Sequence, residues 1–482
     1  MLKKILKVTA FVVVALITLI ALVCVEESVR GKAAWQRNLR ELEARGDTLD
    51  ILKLVPPPVP DAQNMAAAPI FAELMTASNQ DQTRLVVTLS KVLPKHPPVT
   101  EGRLQEQRVD LAKWRVAFSN DDLLAALQPA AAVLRDVEEA AARPQCRFPI
   151  QYEKGFACLL PHLSSLLKCA RPLQLRALAE LDAGQGEAAR KDVRLMLRLA
   201  NALENEPMLI SLLVRMSCLG LAQQAVREGL AAQRWNDVQL QQLQQDLAPL
   251  NLLAHLESAF RGERCMAKWA LDLLLDNPGN LQMLTEVTDG KTKPTRATGW
   301  LWNLLPTGFL YFNCLNVDLF YQRLMLPCVD SRAGRIYPAR TDAIEPACVA
   351  LKQHALPYHV LATLMIPAVS SVIIKAGVAQ TSVQQAALAC AVERYRLAHG
   401  RLPEKLEALV PQYLVKLPND VIDGQPLRYR LDGTDGFILY SIGWNQKDDG
   451  GVPGLTQPTS PAGKPRADDK QGDWVWRSKP AS

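Results

Sequence analysis

The chain opens on a sharp contrast of polarity. Lys3, Lys4 and Lys7 precede an apolar run from Val8 to Val25, in which only Thr9, Thr18 and Cys24 interrupt aliphatic side chains. As a helix at about 1.5 Å per residue, such a run reaches about 27 Å, close to the hydrocarbon thickness of a bilayer. No Ala-x-Ala precedes Glu26, so the pattern predicts an uncleaved transmembrane anchor over 8–25. The clustered lysines place residues 1–7 in the cytoplasm and the bulk of the chain on the far side. Glu26 to Leu54 is charged and helix-favouring, with Trp35, Leu39 and Leu42 at helical spacing. It reads as the outward continuation of the same helix. Pro56-Pro57-Pro58-Val59-Pro60 then blocks any helix, so 26–61 is expected to be a stalk and stiff linker.

From 62 to 350 the apolar positions recur at helical intervals. Leu123, Leu124, Leu127, Leu134 and Val137 mark one stretch; Leu209, Leu212, Leu213, Met216 and Leu219 mark another. Asn236 followed by Gln239 predicts a capped helix start, and Pro249 limits that helix. Leu173 to Leu203 predicts a helical hairpin turning at Gly184-Gln185-Gly186, with Ala177 and Ala189 small enough for close approach. Its small-residue offsets are similar to those of a tetratricopeptide repeat, but no second or third copy follows, and a solenoid needs about three. Trp300, Trp302, Phe309, Tyr311, Phe312, Phe320 and Tyr321 crowd one region. They are read as core filling where helical layers meet, with an interfacial membrane contact as the other reading.

Near the C-terminus the period changes. Ala355 to Ile374 is uncharged but carries Pro357, His359 and Pro367, which favours a buried helix over a second span. That helix is expected to stop at Gly400, before Pro403. Short alternating runs follow at Leu427–Leu431, Phe437–Ser441 and Trp474–Trp476. The string Tyr395, Gly400, Pro403, Leu406-Glu407-Ala408-Leu409, Leu417-Pro418-Asn419-Asp420, Gln425-Pro426-Leu427-Arg428-Tyr429 and Leu439-Tyr440-Ser441-Ile442-Gly443 resembles the major pseudopilin of type II secretion systems. The resemblance implies a long helix followed by a small antiparallel sheet over 355–482. It also implies a calcium-binding loop, for which Asn445, Asp448 and Asp449 are the equivalent residues, with oxygen ligands of the right kind. It departs from that family in having no Gly-Phe-Thr-Leu-x-Glu processing site upstream of Pro367.

The expected fold is therefore mainly α: an N-terminal membrane helix, a helical-hairpin bundle, and a small C-terminal α+β pilin-like module with an antiparallel sheet. Half the residues are hydrophobic (49%), as in an ordinary folded protein. The net charge of +6 over 482 residues is too dilute to indicate a nucleic-acid partner. Beyond the anchor nine cysteines remain, an odd number; Cys146/Cys158 and Cys314/Cys328 are the candidate bridges by proximity. Gly184 to Ala189 fits a relaxed dinucleotide fingerprint but follows a helix rather than a strand. Gly290-Lys291-Thr292 lacks the partner glycine of a phosphate loop, since Thr285 stands there. The reading that results is a single-pass protein of the bacterial inner membrane with a periplasmic body. It would act as a scaffold or protein-interaction module, in contact with the bilayer through its first helix and with proteins through its body. The rivals are an accessory component of a secretion or pilus-like apparatus, and an envelope hydrolase with a site near Cys146-Arg147-Phe148-Pro149 or Pro161-His162.

Overall fold

A computed structural model describes residues 2–77, 80–92, 120–277, 280, 306–353, 358–359, 370–456 and 467–479. The fold is mainly helical, with an apolar helix at the N-terminus and small antiparallel sheets near the C-terminus. Trp300, Trp302, the Gly290–Thr292 motif, Pro357 and Pro367 lie outside the described residues.

Helix α1 runs unbroken over Leu2–Ala44. Its apolar part is exposed: Phe11 is 75% exposed and Leu22 62% exposed. Bare apolar side chains on every face suit a lipid surround, and the helix is long and apolar enough to span a membrane. From Gly31 onward the same helix enters the protein, with Trp35, Asn38 and Leu42 buried. The segment read as a stalk is thus built into the body. The helical spacing of Trp35, Leu39 and Leu42 marks its inward face.

The body is made of α2 (Pro69–Thr76), α3 (Arg84–Val92), α4 (Asn120–Leu127), α5 (Ala131–Ala141), α6 (Pro161–Asp182), α7 (Gly186–Asn201), α8 (Leu209–Ala231), α9 (Asp237–Leu247), α10 (Leu252–Asp276) and α11 (Thr307–Phe320). The short α12 (Pro338–Asp342) and α13 (Ile344–Gln353) follow. Helices α6 and α7 form the expected hairpin. Gly184, at φ +73°, makes the turn, and Ala177 and Ala189 are fully buried where the helices meet. The expected cap on α9 is present: Asn236 Oδ1 accepts from Gln239 N at 2.9 Å, and Gln239 Oε1 accepts from Asn236 N at 3.0 Å. Helix α8 is apolar enough to be mistaken for a second span, but it packs inside the bundle and buries Ser211, Arg215 and Gln223.

Helix α14 (Ser370–His399) ends where Gly400 adopts φ +70°. Strands β3 (Arg428–Asp432), β4 (Gly436–Ser441) and β7 (Trp474–Arg477) form an antiparallel sheet in the order β3-β4-β7. Two further pairs are β1 (Val329–Asp330) with β2 (Arg335–Ile336), and β5 (Pro453–Leu455) with β6 (Ala467–Gly472). The expected boundary between body and C-terminal module is not a break in the core. Ile373, Ala376, Val383, Ala386 and Cys390 of α14 belong to one apolar cluster with α8, α9 and α10. Gln380 Oε1 accepts from Leu252 N at 2.7 Å, and Arg394 pairs with Asp237 at 2.8 Å. A helix apolar on two faces needs partners on both, and here the sheet covers one and the bundle the other.

The ten cysteines are free. Cys314 faces α10, with Sγ 3.9 Å from Ala267 O, whereas Cys328 turns back to Leu324 O on its own turn. The Cys314/Cys328 bridge is therefore not formed. Cys146 packs on the main core and Cys158 on a separate cluster with Tyr152 and Met266, so the second candidate bridge is also unformed.

Candidate functional site: the junction of anchor and body

A tightly constrained crossing lies where α1 leaves its apolar segment. A Cβ placed on Gly308 would lie 2.0 Å from Glu27 O, and one on Gly31 would lie 2.5 Å from Gly308 O. Only glycine lets these backbones touch. Gly308 lies against Ser28, and farther along Asn38 Nδ2 donates to Asp318 Oδ2 at 2.6 Å. The offset between the helices is constant, so α1 and α11 run parallel, both leading away from the apolar segment. Helix α10 completes the junction in the opposite direction, with Arg264 beside Asp318 and Ala267 beside Cys314.

A buried ionic group locks these three helices. Arg264 donates from Nε to Asp318 Oδ1 at 2.7 Å and from Nη1 to Asp47 Oδ2 at 2.6 Å. Gln322 donates to Asp318 at 2.6 Å, and Arg261 reaches Asp47 at 3.3 Å. Burial works against the Asp47 carboxylate, but the Arg264 hydrogen bond and charge outweigh it and hold the carboxyl below its usual range. Among the described residues, Arg264 Nη2 has no partner within hydrogen-bond reach. Such a group fixes geometry more than it adds stability, since desolvating the charges offsets most of their attraction.

A second buried network lies where a hydrolytic site was weighed. His162 Nε2 is 2.8 Å from Glu206 Oε1, and Ser211 Oγ donates to Glu206 Oε2 at 2.5 Å. His255 Nε2 meets Glu206 O at 2.8 Å, and its Nδ1 faces Arg215 at 3.4 Å. Phe148 stacks on His162 with centroids 4.2 Å apart. The carboxylate sits between serine and histidine. A nucleophilic triad needs the imidazole in that place to take the serine proton. His162 and Ser211 are both wholly buried. Burial also pushes the Cys146 thiol up to about 12, which keeps it protonated and a weak nucleophile. The arrangement ties α6, α8 and α10 together.

The acidic loop of the C-terminal sheet brings together two of its three expected ligands. Asn445 Nδ2 donates to Asp449 Oδ2 at 2.8 Å. Asp448 accepts from Gly450 N at 3.0 Å and faces Arg428 Nε at 3.7 Å. Among the described residues, no group of three or more His, Cys, Asp and Glu side chains is placed to hold a metal ion. Sequence reasoning passed over the carboxylates that organise this end. Asp420 accepts from Ile422 N, Ser441 Oγ and Ile442 N, and pairs with Arg428 at 3.1 Å. Asp473 accepts from Asp449 N and Gly451 N. The available signal for Asp420 was an acid set directly before Val421-Ile422, an apolar pair that is fully buried.

One open groove of about 550 Å³ lies between α12, α13 and Lys470. Pro346, Val349 and Ala350 give it an apolar wall, with Asp342 and Glu345 beside them. In comparisons with known proteins, no family model, no curated protein and no solved structure matches the chain.

Proposed function

We propose that the protein is a membrane-anchored scaffold that works by contact with other proteins, carried on a single span in the bacterial inner membrane with its body in the periplasm. The observation that supports this most is the continuity of α1: one helix is both the apolar segment and, through Gly31, Trp35 and Asn38, a structural part of the body. A body mounted this way holds a fixed position at the bilayer, which suits the display of a binding surface. The groove beside Val349, itself 48% exposed, offers such a surface, apolar with acidic groups at its side. A photo-crosslinking residue at Val349 in the full chain in its native membrane tests this. Discrete protein adducts are expected there; adducts no stronger than those from Glu404, whose side chain is 81% exposed, would refute the groove as a docking site.

A role beside a secretion or pilus-like apparatus is the second reading. It is favoured by the order of a long helix, α14, followed by the β3-β4-β7 sheet. Secretion components recovered with the crosslinked chain would support it, and a pull-down free of them would count against it.

A further inference from the structure

The aromatic residues beside the junction divide into two sets. Phe320 and Tyr321 are buried in the main core, as expected of core filling. Phe309 and Phe312, about three and two turns before Phe320 on α11, are only half-buried. They pack edge-on against Tyr358, with centroids 4.9 and 5.5 Å away. Tyr358 hydrogen-bonds the Glu27 side chain of α1, and Asn316 Nδ2 donates to Tyr358 O at 2.9 Å. The three rings therefore form one collar on α1 and α11, beginning near the level of Glu27 with Phe309 and reaching about one turn farther with Phe312.

That level can be placed relative to a bilayer. The apolar run ends at Val25, and Glu27 follows two residues later, about 3 Å farther along the helix axis. Gly308, against Glu27 and Ser28, stands at the same height. The headgroup zone on each side of the hydrocarbon core is roughly 5–8 Å thick. With α1 spanning, the N-terminal end of α11 cannot stand clear of that zone, because backbone contact fixes it there. Aromatic rings with a phenol favour this depth, where the ring meets acyl chains and the hydroxyl stays hydrated. Arg30, exposed and paired with Glu27 at 3.0 Å, adds a cation at the same height.

We infer that Phe309, Phe312 and Tyr358 form a second membrane contact, seated in the headgroup layer of the bilayer that holds α1. The contact would set the height and tilt of the body. The inference rests on α1 as a spanning helix, and its test separates the two claims. The full chain is placed in liposomes of phosphatidylethanolamine and phosphatidylglycerol, with a benzoylphenylalanine photoprobe at Leu16, Phe309, Phe312 or Val415 in turn. Leu16 lies mid-span, and Val415 is 93% exposed on the C-terminal module. Lipid adducts are expected at Leu16, Phe309 and Phe312 and not at Val415. Adducts at Leu16 with none at either Phe309 or Phe312 would overturn the contact and leave the anchor standing. No adduct at Leu16 would overturn both. The two phenylalanine positions are independent variants, so misfolding of one leaves the other to decide.

Discussion

Arg264 and Asp318 form a charge pair, Nε to Oδ1 at 2.7 Å, with side chains 0% and 2% exposed. The pair joins α10 to α11, and Asn38 brings α1 to the same carboxylate. Removing the cation alone leaves Asp318 buried and without compensating charge. Arg264→Met is therefore expected to destabilise the body by about 3–5 kcal/mol, the usual cost of breaking a buried pair on one side. Arg264→Met combined with Asp318→Asn should recover part of that loss. Denaturant unfolding of the detergent-solubilised chain would show both effects. Equal stability of the single variant and the wild type would remove the network from any structural role.

The Gly31–Gly308 crossing predicts an asymmetry between glycines. Gly308→Ala drives a methyl group against Glu27 O, and overpacking of this kind costs about 1–3 kcal/mol. Gly220 sits within α8 with open space around it. Gly220→Ala should be neutral or stabilising, by up to about 1 kcal/mol, because alanine is the better helix former. Opposite shifts in melting temperature for the two variants are the expected result.

Glu180 is pushed up to about 7 by burial and then by the charge of Asp192, with Arg176 opposing. In the unfolded chain the carboxyl returns to about 4.5. The folded state therefore holds the extra proton, and this stabilisation is complete below pH 4.5 and lost as pH rises through 7. Glu180→Gln should raise stability at pH 8 by about 1–2 kcal/mol, after discounting for the partial exposure of the group. At pH 4 the substitution should change little. Unfolding curves at the two pH values test the sign.

His255 behaves in the opposite sense. Burial, and then the neighbouring Arg215, bring its imidazole down to about 3, although the Glu206 carbonyl favours the charged ring. Its contribution to stability is full above the ordinary imidazole value of 6.5 and falls away as pH drops from there towards 3. His255→Gln should cost about 1–3 kcal/mol at pH 7.5, since Arg215 and Glu206 O lose a fitted partner. The gap from wild type should narrow at pH 5. A gap independent of pH would mean that the ring does not titrate on unfolding.

Local signals in the sequence match the structure where the cause is local. The Asn236–Gln239 cap, the Gly184 turn, the Gly400 stop and the three strands of the β3-β4-β7 sheet each depend on a few neighbouring residues. Their conformational preferences act over one or two turns. The junction at Gly31 and Gly308 gave no such signal. Either glycine alone reads as a weak point in a helix, and only their contact across the fold shows that each is required. The same holds for Arg264 and Asp318, which look like solvated charges along their helices, and for Glu206, which looks like a solvated charge in the loop between α7 and α8.

The candidate sites followed this division. Asn445, Asp448 and Asp449 were visible as an acidic run, but the pairing of Asp448 with Arg428, on strand β3 twenty residues earlier, was not. His162 was visible, but its partner Glu206 and the Ser211 beyond it were not.

By itself the sequence determined that the chain is mainly helical, that it begins with an apolar helix long enough for a bilayer, and that it ends in small antiparallel sheets. Period and polarity carry that information along the chain. Only the tertiary structure decided that the C-terminal half of α1 is buried in a cluster with α10 and α11, that α14 belongs to the main core of the body, and that an aromatic collar begins near the height of Glu27. Those outcomes depend on which faces meet. Contacts between segments hundreds of residues apart are set by the packing of the whole molecule, which no local pattern encodes.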